Sequence, residues 1–203
     1  MQTPGTGLRE RKKLATKQAL AFAALQLAVE RGLENVRVED ITDAVNVSRR
    51  TFANYFSSKE EAIASLNADR ADRAAEALRE RPAGEPLADS LAEVLAGQYQ
   101  AAATGIDRER LGPLRMVLSS PALQGEYLKT LVQSEGPLAK AIAERTGADP
   151  RADLYPHVLA AAATAAVRAA TGHWMANGAA GSLPDLIRQA VRQVAGTPAT
   201  NPR

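Results

Sequence analysis

The sequence predicts an all-α protein, a three-helix unit followed by a larger helical bundle, and three observations carry that expectation. Ala and Leu recur at helical spacing through most of the 203 residues. The 11 Pro and 14 Gly fall mostly between those periodic segments. No alternating run of β-branched residues is long enough to make a strand.

The first helix is expected over roughly Glu10 to Arg31, where Leu20, Ala23, Ala24, Leu27 and Ala28 share one face and Gly32 ends the run. Two short segments follow, Val38 to Val45 and Ser48 to Phe56, separated only by Asn46 and Val47. Helices this short are not stable alone, so they must pack on the first helix and on each other, which describes a helix-turn-helix. Asn46 suits the turn because it tolerates a left-handed backbone, and Ser48 can cap the next helix through its hydroxyl.

Ser58 to Glu61 form an S-x-x-E capping box that starts a fourth helix running to about Arg81, where RPAGEP breaks the chain. Further helices are expected near Leu87 to Ala103, Arg108 to Ser119, Ala122 to Thr146, Leu154 to Ala176 and Leu183 to Ala195. Gly112 with Pro113, and Gly136 with Pro137, should kink or split two of these. The tail Gly196 to Arg203 reads as mobile. The domain division is therefore placed at 1–57 and 58–203, the second part beginning with the connecting helix.

Composition excludes several classes of function. With 45% hydrophobic and 24% charged residues the chain is globular in balance, and with no Cys it has no disulfide, thiolate metal site or cysteine nucleophile. The start MQTPGTGLRERKKLATK carries charge where a signal peptide needs an apolar run, and Leu154 to Ala180 carries Pro156, His157, Arg168 and His173, so neither export nor a membrane span is expected and the cytoplasm is the expected location. His157 and His173 are too far apart in sequence for a helical zinc pair, no phosphate-binding glycine loop or nucleophile motif is present, and the acids are scattered. No catalytic residue, metal or cofactor is expected.

The net charge of +2 is unevenly placed. Arg9, Arg11, Lys12, Lys13 and Lys17 precede residue 20 with Glu10 as the one acid, and Arg49, Arg50 and Lys59 stand in an acid-free stretch. The cationic excess thus falls on the helix-turn-helix, where an anionic polymer would be met. Ser48 and the free amides of its helix suit a phosphate, and Arg49 or Arg50 can present a fork to guanine O6 and N7. Thr51 can touch a base edge or a thymine methyl, Asn54 and Tyr55 face outward while Phe52 and Phe56 face inward, and Lys59 is placed for a phosphate.

These residues carry a resemblance. RGLENVRVEDITDAVNVSRRTFANYFSSKEEAI resembles the N-terminal motif of the TetR family of bacterial transcription regulators through Gly32, Val38, Ile41, Val47, Ser48, Thr51, Phe52, Tyr55, Phe56, Ser58, Lys59 and Glu60. The resemblance implies DNA contacts at Ser48, Arg49, Arg50, Thr51, Tyr55 and Lys59, with Thr16 and Lys17 near the flanking backbone. Three departures matter: Arg37 replaces a capping Thr and could instead reach a phosphate, Asn46 replaces a turn Gly, and Ala53 replaces an aromatic or His, which shifts contacts onto Arg49, Arg50 and Asn54.

The resemblance further implies that the second domain dimerises and holds a small apolar or amphipathic effector, making the chain a homodimeric, effector-released regulator of operator DNA, more a repressor than an activator. Tyr99, Met116, Tyr127, His173 and Trp174 are the candidate ligand residues, each also explicable as ordinary packing. Leu183, Leu186, Ile187, Ala190, Val191 and Val194 form one stripe, and Ala161, Ala165 and Ala169 a low surface; both fit a subunit interface, and the stripe fits a monomer core equally well on pattern alone. The alternative is a helical enzyme or small-molecule carrier with an incidental basic hairpin.

Overall fold

The computed structural model describes residues 4–100 and 108–196, and every regular element among them is helical. The elements are α1 (Pro4–Arg31), a 3-10 turn (Leu33–Asn35), α2 (Val38–Val45), α3 (Arg49–Ala53), α4 (Lys59–Glu80), α5 (Leu87–Gly97), α6 (Arg108–Leu118), α7 (Pro121–Thr146), α8 (Tyr155–Ala176) and α9 (Leu183–Ala195). They fall into two compact units: Met1–Asn67 with Gly112–Leu128, and Ala68–Leu111 with Lys129–Arg203. The chain of α4 thus passes from the first unit into the second, whereas the sequence division was drawn at residue 57.

In the first unit α1 supplies Leu20, Ala24, Leu27 and Ala28, which meet Ile41 of α2, Phe52 and Phe56, Ile63 and Leu66 of early α4, and Val117 and Leu123. Gly32 stops α1 with φ of 84°, a left-handed backbone that favours glycine, whereas the Glu34 carboxylate 2.7 Å from where a Cβ would stand could swing aside. Arg37 occupies the N-cap of α2 and has no acceptor to offer; Asp40 Oδ2 instead accepts from Arg37 N at 2.8 Å. Asn46 takes the left-handed conformation, φ 55° and ψ 50°, that ends α2. Ser48 Oγ then accepts from Thr51 N at 3.1 Å and starts α3.

In the second unit α9 packs against α8 and α5 around Leu78, Leu91, Leu138, Ile142, Leu159, Ile187 and Val191. The alanines of α8 let its neighbours approach closely, with Ala160, Ala163, Ala166 and Ala170 all buried. The RPAGEP break is held by Arg145, whose guanidinium donates to Arg81 O at 3.1 Å, Pro82 O at 2.6 Å, Glu85 O at 2.9 Å and Ser90 Oγ at 3.0 Å. Arg81 closes the same loop through the Glu85 carboxylate, which also accepts from Ser90 Oγ at 2.5 Å.

Several expected boundaries move. α1 begins at Pro4 rather than Glu10, because a proline fits the first turn of a helix where no amide partner is needed. The segment expected as helix from Ser48 to Phe56 is regular only over Arg49–Ala53; beyond it Asn54 N donates to Arg50 O, and Tyr55 N and Phe56 N both donate to Phe52 O. α5 ends at Gly97, and the expected extension over 101–103 lies outside the described residues, as does the tail 197–203. Pro113 and Pro137 split neither helix: α6 and α7 each run through their proline.

Candidate nucleic-acid interface

The start of α3 places exposed Ser48, Arg49 and Arg50 beside half-buried Thr51 in the first unit. Ser48 Oγ lies 2.9 Å from Thr51 Oγ1 as well as accepting the Thr51 amide, so these hydroxyls fix the helix start and present it as a unit. Phe52 and Phe56 turn into the core with ring centroids 5.6 Å apart, and that anchorage sets which side of α3 looks outward. Asn54 is exposed, and Tyr55 is half-buried with its ring 6.3 Å from that of Phe56.

The two arginines differ. The Arg49 guanidinium pairs with Glu39 of α2 at 3.0 Å, with both side chains exposed. Arg50 is exposed and has no ion pair among the described residues. Glu39 was not among the sequence candidates, since nothing in a linear reading places it beside Arg49. Arg37 is exposed at the head of α2, and Thr16 and Lys17 are half-buried on α1, where Thr16 Oγ1 donates to Lys12 O at 2.9 Å.

Lys59 departs from expectation. Its ammonium, half-buried, donates to Leu33 O at 2.5 Å and Val36 O at 2.8 Å, and so ties the first residue of α4 to the 3-10 turn ahead of α2. A carbonyl pair at a helix end needs donors, and lysine supplies them. Glu61 also departs from a simple capping box: Ser58 Oγ accepts from Glu61 N at 3.0 Å, but the Glu61 carboxylate reaches Ser57 N and Ser57 Oγ, each at 2.6 Å.

The candidate ligand residues are not alike. Trp174 is a core residue of the second unit whose Nε1 donates to Gly181 O at 3.1 Å. Tyr99 packs against that core, with the Arg70 guanidinium 4.8 Å from its ring centroid; burial raises the phenol pKa, against the opposing effect of Arg70. His173 is exposed. Met116, 75% exposed, and the half-buried Tyr127 belong to the first unit, so Met116 is not the wall residue expected of it. The second unit has a shallow cleft of about 500 Å³ lined by Asp185, Arg188, Gln189, Arg192 and Gln193. It contains none of the five candidates, and its arginines are held by Glu93 and Asp89.

The interface stripe is also corrected. Leu183, Ile187 and Val191 are buried within the single chain, packed on α8 and α5, so they cannot meet a second subunit. Leu186 and Ala190 are half-buried on one flank of α9, and Val194 is 37% exposed. On α8 the face away from the core carries Val158, Ala161, Ala165, Ala169 and Gly172, which keeps Ala161, Ala165 and Ala169 available at the surface.

A capped α3 with outward arginines, held on two helices by buried aromatics, defines a helix-turn-helix DNA-binding regulator. Residues 22–66 match the bacterial regulatory proteins of the tetR family, and residues 85–198 match the MftR C-terminal domain. The HTH-type transcriptional regulator TcmR of Streptomyces glaucescens is 37% identical over 177 residues, covering 84% of this chain and 77% of that protein. The chain belongs to the TetR family. Its fold is also that of the fatty acid degradation regulator FadR from Bacillus halodurans, at TM-score 0.56 and 16% identity over 91% of this chain and 96% of that one. Salmonella enterica GusR is similar at TM-score 0.51 and 20% identity, over 90% and 96%.

Proposed function

We propose that this regulator is a homodimeric repressor that reads operator DNA with α3 and is released by a small apolar or amphipathic effector bound in its second domain. The observation that carries the reading is the exposed Arg49–Arg50 edge, with half-buried Thr51 beside it, of a Ser48-capped α3. Base reading falls to Arg50 and Thr51, with Arg49, Asn54 and Tyr55 beside them, while Ser48, Arg37, Thr16 and Lys17 hold the phosphate backbone. Functionally the DNA-binding part is 1–57 and the effector and dimerisation part 58–203. Among the described residues no helix is long and apolar enough to cross a membrane, which agrees with work on DNA in the cytoplasm.

Dimerisation is assigned to the small-residue face of α8 with the Leu186, Ala190 and Val194 flank of α9, since small side chains let two helices approach closely. Effector release follows from α4, whose residues belong to both units. A ligand that prefers the α4 position unfit for DNA lowers operator affinity, and a tenfold loss needs about 1.4 kcal/mol of preference.

The test is selection of bound duplexes from a randomised pool by the full chain, followed by gel shift of the selected sequence against competitor. The proposal expects an inverted repeat, and Arg50→Ala losing the preference. Screening lipophilic compounds for release of that duplex, with Trp174, the sole tryptophan, as fluorescence reporter, tests the effector. No sequence preference in the selected pool would falsify operator reading and favour a helical enzyme or carrier.

A further inference from the structure

Just beyond α5 stands a tyrosine whose ring is accounted for by packing and whose hydroxyl is not. Tyr99 follows Gly97, the last residue of α5, and Gln98, and its ring packs against the core of the second unit. The Arg70 guanidinium, on the part of α4 that belongs to the same unit, lies 4.8 Å from the ring centroid. A phenylalanine would pack there and face the cation equally well. Among the described residues the Tyr99 hydroxyl has no hydrogen-bond partner, although its burial raises the phenol pKa against the opposing charge of Arg70. The hydroxyl is not sealed off either, so a molecule from outside can reach it.

The surroundings define what kind of molecule fits. One turn along α4 from Arg70, Ala74 is buried core, and one turn before Tyr99 so is Leu95, which sets the pair at the rim of an apolar interior. A guanidinium has only donors and a neutral phenol has one to give, so the complementary group is an acceptor, and a charged acceptor makes the stronger bonds. Arg73 is occupied in shaping the place: its Nε donates to Gln98 Oε1 at 3.0 Å and ties α4 to the residue before Tyr99. Asp69 and Asp72 flank Arg70 in sequence and have interactions of their own; they offset part of the positive charge, which suits a head of one negative charge rather than a phosphate ester. We infer that Arg70 and Tyr99 anchor an effector with a single anionic oxygen head, a carboxylate or a phenolate, on an apolar body. Arg70 pairs with the charge, the Tyr99 hydroxyl donates to the same head, and the body lies toward the apolar interior. The inference rests on the effector reading and narrows its ligand to an anionic amphiphile.

The probes are naphthoate and decanoate as carboxylates and dinitrophenolate as a phenolate, each beside its neutral counterpart: naphthamide, decanamide and dinitroanisole. Binding to the full chain is read as fluorescence of Trp174, the sole tryptophan, and as the rise in thermal midpoint that ligand linkage produces. At least one anion should bind, with its neutral counterpart weaker by about tenfold or more. Which head binds distinguishes carboxylate from phenolate. Tyr99→Phe keeps the ring and Arg70→Met keeps an apolar stem; each should weaken that anion about tenfold and leave its neutral counterpart unchanged. Tyr99→Phe should also keep the unliganded midpoint, a pairing of results that a role in packing alone does not produce. Arg168→Gln, which removes an exposed charge from α8, should bind as wild type does. Equal binding of anions and neutral counterparts, wild-type anion affinity in both Arg70→Met and Tyr99→Phe, or no binding by any of the anions overturns the inference. If neutral lipophiles release the selected duplex from wild type and Arg70→Met alike, the effector reading stands and the anionic anchor falls. If an anion binds through Arg70 and Tyr99 and leaves the duplex bound, the anchor stands and effector release falls.

Discussion

Arg49 and Arg50 are neighbours in sequence with different surroundings, and that difference sorts their roles. Arg49 gives its guanidinium to Glu39 at 3.0 Å, whereas Arg50 is exposed and unpaired among the described residues. An exposed ion pair is weak, so Glu39 can release Arg49 at small cost, but it competes with any base or phosphate for it. Arg50→Ala should therefore cost about 1–3 kcal/mol of discrimination at one base pair, and Glu39→Gln should strengthen binding to all duplexes without moving that preference. Affinities for the selected operator and its single-base variants check both, and an unchanged preference in Arg50→Ala sinks the assignment. Lys59 belongs to another class. Its two bonds to Leu33 O and Val36 O are charge-assisted and half-buried, so Lys59→Met should lower unfolding stability by about 2 kcal/mol while the salt slope of DNA binding stays put. Urea denaturation beside a salt titration separates the two roles: a slope reduced by about one, with stability intact, marks a phosphate contact instead.

At the scale of elements, legibility followed how local the cause is. The bounds of α2 and α9, the left-handed Asn46 and the Ser48 cap are set by residues within a turn of one another, and they were readable. The reach of α1 to Pro4, the passage of α6 and α7 through Pro113 and Pro137, and the grip of Lys59 on the 3-10 turn depend on partners elsewhere in the chain or on the absence of a penalty, and periodicity carries no signal for them. The turn between α4 and α5 is a related case, since RPAGEP announces a break but not the arginines that close it. Hydrogen bonds from Arg81, then from Ser90, lower the Glu85 pKa from the usual 4.5 to about 2. A carboxyl depressed in the folded state contributes stability that is complete above the unfolded value and is lost as pH falls through the folded one. Wild type should thus lose stability between about pH 4.5 and 2 more steeply than Glu85→Gln, read as urea midpoints at successive pH values; parallel acid limbs would remove Glu85 from the loop's stability.

For the whole molecule the decisive matter is which side of α8 and α9 a second copy meets. Periodicity shows that α9 has an apolar stripe but not what covers it. The chain itself covers Leu183, Ile187 and Val191, with Ile187 wholly out of solvent between α8 and α5. A charge placed at Ile187 would unfold the second unit before it could test association, because an unpaired buried carboxylate costs far more than a subunit contact returns. The informative position is Ala165, exposed on α8 between Ala161 and Ala169. Two-fold symmetry sets each residue near the axis against its own copy, so Ala165→Glu places two like charges together in a contact that only small side chains allow. The variant should keep its helical signal and thermal midpoint, sediment as a monomer at micromolar concentration, and bind a palindromic operator much more weakly while its affinity for a single half-site hardly changes, because linkage of two half-sites is lost with the dimer. A variant that remains dimeric and binds the operator as wild type does would move the interface off the small-residue face of α8.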